Sequence, residues 1–326
     1  MSQDNDLIKL ISDEENEIIG NILLQSLYYE ENNKDIINYK ENLPESIYHY
    51  TSPSGLQGII ASNSLWFTHY KFLNDRGEKY YAFSIFKECL LEQKENLNKN
   101  FYNAVLNLIC EGENFSQKIF YQKARNLPDY FIASFSLNSD SLNMWNYYTK
   151  EKNKTGYSVE YNLKELEASL VNKSYNAYKV NYEKEILVDK INFYIRCFNK
   201  GWDDNRSKEF LHCLCVLLIE VIDAESLQNK HKAFSSEEEF RIVFKVQDYN
   251  REKFKCDKLM KFRELNGIMV PFLDIGYDKQ CVKGVKISPT QQDELIKEGL
   301  RMVFDNNGYE NIPNEKITMS DIPLRY

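Results

Sequence analysis

A chain of 326 residues with 43% hydrophobic and 28% charged residues has the make-up of an ordinary globular protein and can bury a large core. Its 41 basic residues stand against 49 acidic ones, a net charge of −8, which argues against broad neutralisation of a nucleic-acid duplex. No apolar run reaches the ~18 residues of a membrane span, and Ser2-Gln3-Asp4-Asn5-Asp6 lacks the basic and apolar regions of an export signal, so no membrane contact and a cytoplasmic location are expected.

Residues 1–43 read as an acidic N-terminal helical extension with Ile11, Ile18, Ile19 and Ile22 on an apolar face. After Pro44, residues 47–51 read as a strand, 54–62 as an amphipathic helix and 64–68 as a second strand. Asp75 and Glu78 have capping-box spacing for a helix reaching about residue 97, and another helix spans roughly 100–125. Strands follow at 130–136, 156–161 and 177–182, with a short helix from Asp140 that contains Met144 and Trp145. Helices near 185–199 and 207–227 form an insertion. Strands at 238–246, within 253–273 and at 282–288, a helix at 291–304 and a strand-like Ile322-Pro323-Leu324 complete the chain. Helices cluster and strands cluster, an α+β pattern. The expected organisation is residues 44–326 as one domain carrying an insertion near 185–227.

Seven cysteines, an odd number without framework spacing, fit reduced thiols. His212-Cys213-x-Cys215 lies in an apolar helical run whose i and i+2 positions point apart, so core cysteines are expected there, and no metal.

Three constellations carry chemical potential. The first is His49-Tyr50-Thr51, followed by a Ser/Pro/Gly turn and a helix N-terminus suited to a phosphate, with Asn74-Asp75-x-x-Glu78 behind it. The second is Ser134-Phe135-Ser136 with Asp140, Met144, Trp145 and Tyr148. The third is Glu237-Glu238-Glu239-Phe240-Arg241, whose alternation on a strand would put Glu237, Glu239 and Arg241 on one face. Each also has a plain structural reading. A strand histidine is often a satisfied structural residue. Asp75 and Glu78 read as a helix cap and Met144-Trp145 as core. Glu-Phe-Arg alternation also makes a structural salt bridge. His69 has no partner in sequence, and His231 and Lys232 read as a surface loop.

Taken together, HYTS, GLxGII, LWFT, LNDxxE, SFSxNxDSxxMW, GYSVEY, ExEFR and SxIPLR resemble the bacterial family called domain of unknown function 2971, over about residues 46–326. The order of the three constellations further resembles the ADP-ribosyltransferase superfamily. That second resemblance implies a central mixed, largely antiparallel split sheet around a cleft, flanked by helices, with NAD as substrate. It implies that His49, with Tyr50 and Thr51, holds the adenosine-side ribose. It implies that Ser134, Phe135 and Ser136 brace the nicotinamide and that Glu239 or Glu237 is the catalytic carboxylate. Arg241 would neutralise a carboxylate or grip the pyrophosphate. A carboxylate near the ribose would stabilise oxocarbenium character as the nicotinamide leaves. Tyr50, Phe135 or Trp145 would stack on the nicotinamide.

The leading expectation is therefore an NAD-dependent ADP-ribosyltransferase or NAD glycohydrolase of the bacterial toxin or phage-defence kind. A protein, a nucleic acid or water would be the acceptor, and an antitoxin or sensor a partner. The alternative is a non-catalytic nucleotide-sensing or interaction module that does not need Glu239. The third expectation is a metal-independent nuclease using His49 and a carboxylate.

Overall fold

The structure, a computed structural model, describes residues 11–32, 43–73, 77–114, 129–148, 155–170, 175–246, 259–289 and 294–323. The chain divides into two compact units. Residues 1–38, 75–127 and 181–232 make a helical unit, and residues 39–74, 128–180 and 233–326 make a unit built on a sheet. The helices read as an N-terminal extension and as an insertion thus share one unit with the helices of 75–127.

Among the described residues, five α-helices belong to the first unit: α1 (Asp13–Asn32), α3 (Gly77–Glu92), α4 (Lys99–Asn114), α7 (Lys184–Gly201) and α8 (Lys208–Ser226). Apolar residues at helical spacing on α7 and α8 interlock in a core that contains Leu187, Ile191, Ile195, Phe198, Leu214, Leu218 and Ile222. Ser207 caps α8 by accepting the Phe210 N–H. Cys215 is fully buried on α8 while Cys213, two residues before it, is only partly buried, as the helical spacing requires. Burial pushes the Cys215 thiol up to about 12.

Among the described residues, ten strands belong to the second unit: β1 (Ser46–Thr51), β2 (Ser64–His69), β3 (Asp129–Ser136), β4 (Tyr157–Asn162), β5 (Tyr175–Lys179), β6 (Glu239–Val246), β7 (Met260–Leu265), β8 (Ile268–Gly276), β9 (Val282–Ile287) and β10 (Ile317–Met319). All pairings are antiparallel except β9 with β10, which makes the sheet mixed and largely antiparallel, as expected for an α+β chain. Helices α2 (Pro53–Ser62), α5 (Leu142–Tyr148), α6 (Leu163–Ser169) and α9 (Glu294–Asn306) accompany it. Asn266 and Gly267, both with positive φ, supply the tight two-residue turn between β7 and β8.

The pairing of β3 shapes the sheet. β6 runs along one edge of β3 for all eight of its residues, from Asp129↔Val246 to Ser136↔Glu239. β1 and β2 must therefore share the other edge. β1 meets it only at Ser136, opposite Tyr48, and β2 only at Ile132 and Phe131. The sheet forks there: β1, β4, β9 and β10 make one arm and β2, β8 and β7 the other, with Ser134 at the crotch.

Opposed residues in a ladder point to the same side. Tyr48, Ser136 and Glu239 consequently share one side, together with Tyr50, Ser134 and Arg241 two residues along. His49, Phe135, Phe240 and Ile242 take the other side. There Phe135, Phe240 and Ile242 pack with Leu56 and Ile60 of α2 and Leu300 and Phe304 of α9 in the core. Phe240 and Ile242 are fully buried, each contributing roughly 1.5–3 kcal/mol of hydrophobic stabilisation.

Several sequence expectations need correction. β6 starts at Glu239, because Glu238 has φ 44, and Glu237 ends a 3-10 turn (Lys232–Glu237). The strand expected near Ile322 lies earlier, at β10, where parallel pairing with β9 fixes it. The capping pair Asp75 and Glu78 lies outside the described residues and side chains, as does the stretch 115–125 expected to continue α4.

Candidate functional site

The site builds outward from the fork. In an antiparallel strand the N–H and C=O of one residue face the same edge. Ser134 O is 3.0 Å from His49 Nδ1, so the main chain of Ser134 faces the open crotch and the imidazole takes the place of the missing strand. The bond requires Nδ1–H, since the carbonyl can only accept. Burial pushes the His49 pKa below its ordinary value, and the Ser134 carbonyl only partly offsets this. His49 is therefore neutral at pH 7, with Nε2 left as an acceptor. Its ring stands edge-on to Phe135 at 5.6 Å.

This sets a pH dependence. The folded pKa lies below the unfolded value of about 6.5, so between the two the unfolded chain binds more protons and stability rises with pH. The contribution is complete above pH ~6.5 and is lost as the solution is acidified. Urea midpoints measured from pH 7.5 down to pH 5 are expected to fall more steeply for the wild type than for His49→Gln. Parallel slopes would show that His49 titrates normally in the folded protein.

Thr51 closes β1 and is buried. A Cβ at Gly55 would come within 2.1 Å of Thr51 Oγ1, so only glycine allows the first turn of α2 to close over that hydroxyl. The helix N-terminus offers less to an anion than its sequence promised. Pro53 has no N–H, and the Gly55 N–H is already bonded to Ser52 Oγ at 3.2 Å.

On the other side of the sheet lies the third constellation. Arg241 donates from Nε to Glu239 Oε1 and from Nη2 to Glu239 Oε2, both at 2.8 Å. The pair is a two-pronged ion pair with both members buried, at 5% exposure for Glu239 and 1% for Arg241. Glu239 and Arg241 share a face as expected, whereas Glu237 precedes the strand, at the end of the 3-10 turn. Its carbonyl accepts from Ser136 Oγ at 2.8 Å, which fixes the turn leading into β6. His49 and Glu239 both flank β3 and project to opposite sides of it.

The rings expected as stacking platforms are spent within the protein. Tyr50 and Phe135 are each 2% exposed and Trp145 is fully buried. Tyr50 stands edge-on to Trp145 at 4.7 Å, donates to Asn138 O and accepts from the Ser141 N–H, both at 2.9 Å. Ser134, by contrast, stays partly exposed.

Asp140 proves to be a structural hub. It accepts from Trp145 Nε1 at 2.7 Å, Ser320 Oγ at 2.6 Å and the Asp321 N–H at 3.1 Å, with Lys286 Nζ at 3.5 Å. Burial alone would raise its pKa, and those donors together hold it below the ordinary value. The DSxxMW and SxIPLR stretches therefore meet as a latch that ties the segment after β10 to α5.

His69 has a partner that its sequence neighbourhood did not reveal. Nε2 lies 3.1 Å from Asp129 Oδ1, and Nδ1 accepts the Lys71 N–H at 3.2 Å. With Nδ1 accepting, Nε2 carries the proton, so neither nitrogen is left to act as a base. Among the described residues no group of three His, Cys, Asp or Glu side chains is placed to hold a metal ion. No helix among them is long and apolar enough to cross a membrane. A groove of about 450 Å³ in the helical unit is lined by Gln93, Asn192, Arg196 and Lys200 among others, and none of the residues singled out from the sequence lines it.

A model of the family described as "Protein of unknown function (DUF2971)" matches residues 144–242, under a third of the chain. The match runs from α5 through the first residues of β6 and includes Trp145, Glu239 and Arg241. It is shorter than the 46–326 span expected from the sequence, and it leaves His49 and Ser134 outside. No curated protein and no solved structure matches the chain.

Proposed function

We propose that the protein is a non-catalytic nucleotide-recognising module built on a split sheet of the ADP-ribosyltransferase kind, in which Glu239 serves structure and not bond cleavage. The observation that carries this reading is the buried pairing of Glu239 with Arg241. A carboxylate that steadies an oxocarbenium ion must turn uncompensated negative charge on the sugar. Here a guanidinium engages both oxygens, and the carboxylate lies within the wall of the sheet.

A second reading, an NAD-dependent ADP-ribosyltransferase or glycohydrolase of the toxin or defence kind, draws support from the fork. The strands carrying the three constellations, β1, β3 and β6, all meet at Ser136, and His49 bonds directly to Ser134. In that reading neutral His49 accepts from a ribose hydroxyl through Nε2, and the pyrophosphate draws Arg241 off Glu239. The bond from the ribose to the nicotinamide nitrogen breaks with its electron pair leaving on the nicotinamide. An acceptor nucleophile then joins the sugar carbon and loses a proton to solvent or to the freed carboxylate. No observation favours the nuclease reading.

The test combines calorimetric titration of NAD with nicotinamide release in the presence of cell lysate, for wild type and Glu239→Gln. The module reading expects binding without release, little changed by the substitution. Release by the wild type that stops in Glu239→Gln would establish the second reading. Absence of NAD binding would sink the second reading, and absence of binding by both NAD and ADP would sink the module reading as well.

A further inference from the structure

The β2–β8–β7 arm carries a cationic aromatic cluster that no constellation read from the sequence included. Trp66 on β2 is 44% exposed, whereas Trp145 and Trp202 are 0% and 9% exposed. Its ring lies 4.5 Å from that of Phe272 on β8. Arg263 on β7 reaches back across both rings, with its guanidinium carbon 5.4 Å from the Trp66 ring centre and 6.0 Å from that of Phe272. Arg263 Nη2 donates to Thr68 Oγ1 at 3.1 Å.

The guanidinium has no carboxylate partner among the described residues, and its Nε is buried without an acceptor. Asp274, on the same face, is already taken by Lys261 and by Ser64 Oγ. Burial lowers the pKa of Arg263, the direction expected where a cation gives up water without gaining an anion. A half-buried guanidinium set over an exposed indole offers two things at once. It gives planar stacking surface, and it gives N–H donors to an oxyanion. The cluster also borders the fork. Thr68 pairs with Ile132, so Trp66, two residues further along β2, stands where a continued ladder would have met Ser134.

We propose that Trp66 and Arg263 form a nucleoside-phosphate subsite, with the base stacked on the indole and the phosphate held by the guanidinium. The proposal rests on the nucleotide reading above and locates one end of the ligand on the β2–β8–β7 arm. Its occupant is a free nucleoside di- or triphosphate, since the cluster supplies one stacking surface and one cation and not a repeated track. Base-on-aromatic stacking and charge-assisted phosphate contact act together there, so neither adenosine nor pyrophosphate alone should bind as well as ADP.

Trp66 is the one exposed tryptophan of the three in the chain, so intrinsic fluorescence reports directly on this place. Titration of the full-length protein with ADP is expected to quench the emission saturably. Adenosine and pyrophosphate should act more weakly. Arg263→Gln should weaken the response by roughly tenfold, the loss of about 1.4 kcal/mol of binding, and Arg263→Lys should restore part of it. Calorimetry on Trp66→Ala gives an independent reading should Arg263→Gln lower stability. ADP that binds equally well to wild type, Arg263→Gln and Trp66→Ala would overturn the subsite while leaving the nucleotide reading intact. Failure of both ADP and NAD to bind the wild type would overturn both.

Discussion

Replacing Arg241 by leucine is expected to destabilise the protein by about 3–5 kcal/mol, the range for removing one member of a buried ion pair. The two bonds that Glu239 accepts from the guanidinium disappear, while the carboxylate stays at 5% exposure in the sheet. A loss of that size is a large part of the ~5–15 kcal/mol that holds a typical domain folded. The double replacement Glu239→Leu with Arg241→Met is expected to recover most of it, because exchanging a whole buried pair for apolar groups is often neutral. Urea unfolding of the two singles and the double gives the coupling directly. An Arg241→Leu midpoint equal to that of the wild type would show that the pair contributes nothing. If the double variant regains stability but loses NAD binding, the pair is retained for recognition and not for the fold.

A comparable loss, about 3–4 kcal/mol, is expected in the helical unit for Lys190→Met. Lys190 Nζ bonds both oxygens of Glu225, at 2.9 and 3.0 Å, and both side chains are almost wholly buried. Tyr194 OH and Asn229 Nδ2 add bonds to the same carboxylate at 2.9 and 3.2 Å. Methionine keeps the volume of the lysine stem and removes the ammonium with its charge and its two bonds to Glu225, so packing cannot account for the result. Tyr194→Phe removes one neutral donor and is expected to cost only about 1 kcal/mol. Chemical unfolding followed by helical circular dichroism checks both. Similar losses for the two variants would show that the lysine charge is not what balances Glu225.

The sequence made the elements plain and left their partnerships hidden. β-rich runs such as Ser64–His69 and the Glu239–Val246 segment announce strands through aromatic and β-branched residues, and the α+β arrangement follows from their clustering. The three constellations do meet around β3, which their order alone could suggest. The start of β6 was hidden, because one positive φ at Glu238 ends the two-residue alternation before Glu237, which lies in a 3-10 turn. His69 with Asp129, Lys190 with Glu225 and Trp66 with Arg263 lie far apart in the chain and are brought together by sheet register or helix packing. Register is a property of pairs of strands, so no local pattern in one strand announces it. The fork had one available signal: a neutral, partly buried histidine on a strand needs an acceptor for its N–H, and a strand interrupted by its neighbours provides one.

The strand order has a consequence for how the protein assembles. β6 occupies the slot between β3 and β5, yet it comes some sixty residues after β5 in the chain, beyond the helices α7 and α8. Pairings of such long separation are slow to form. Until β6 docks, facing edges of β3 and β5 both stand open, and open edges recruit other chains. The strand that fills the slot is also the one that brings Glu239 and Arg241, so its arrival must bury two charges in the same event that closes the sheet. Weakening that pair would therefore prolong the interval in which the chain is exposed to misassembly, and soluble yield during refolding would fall before any loss is seen in the finished fold.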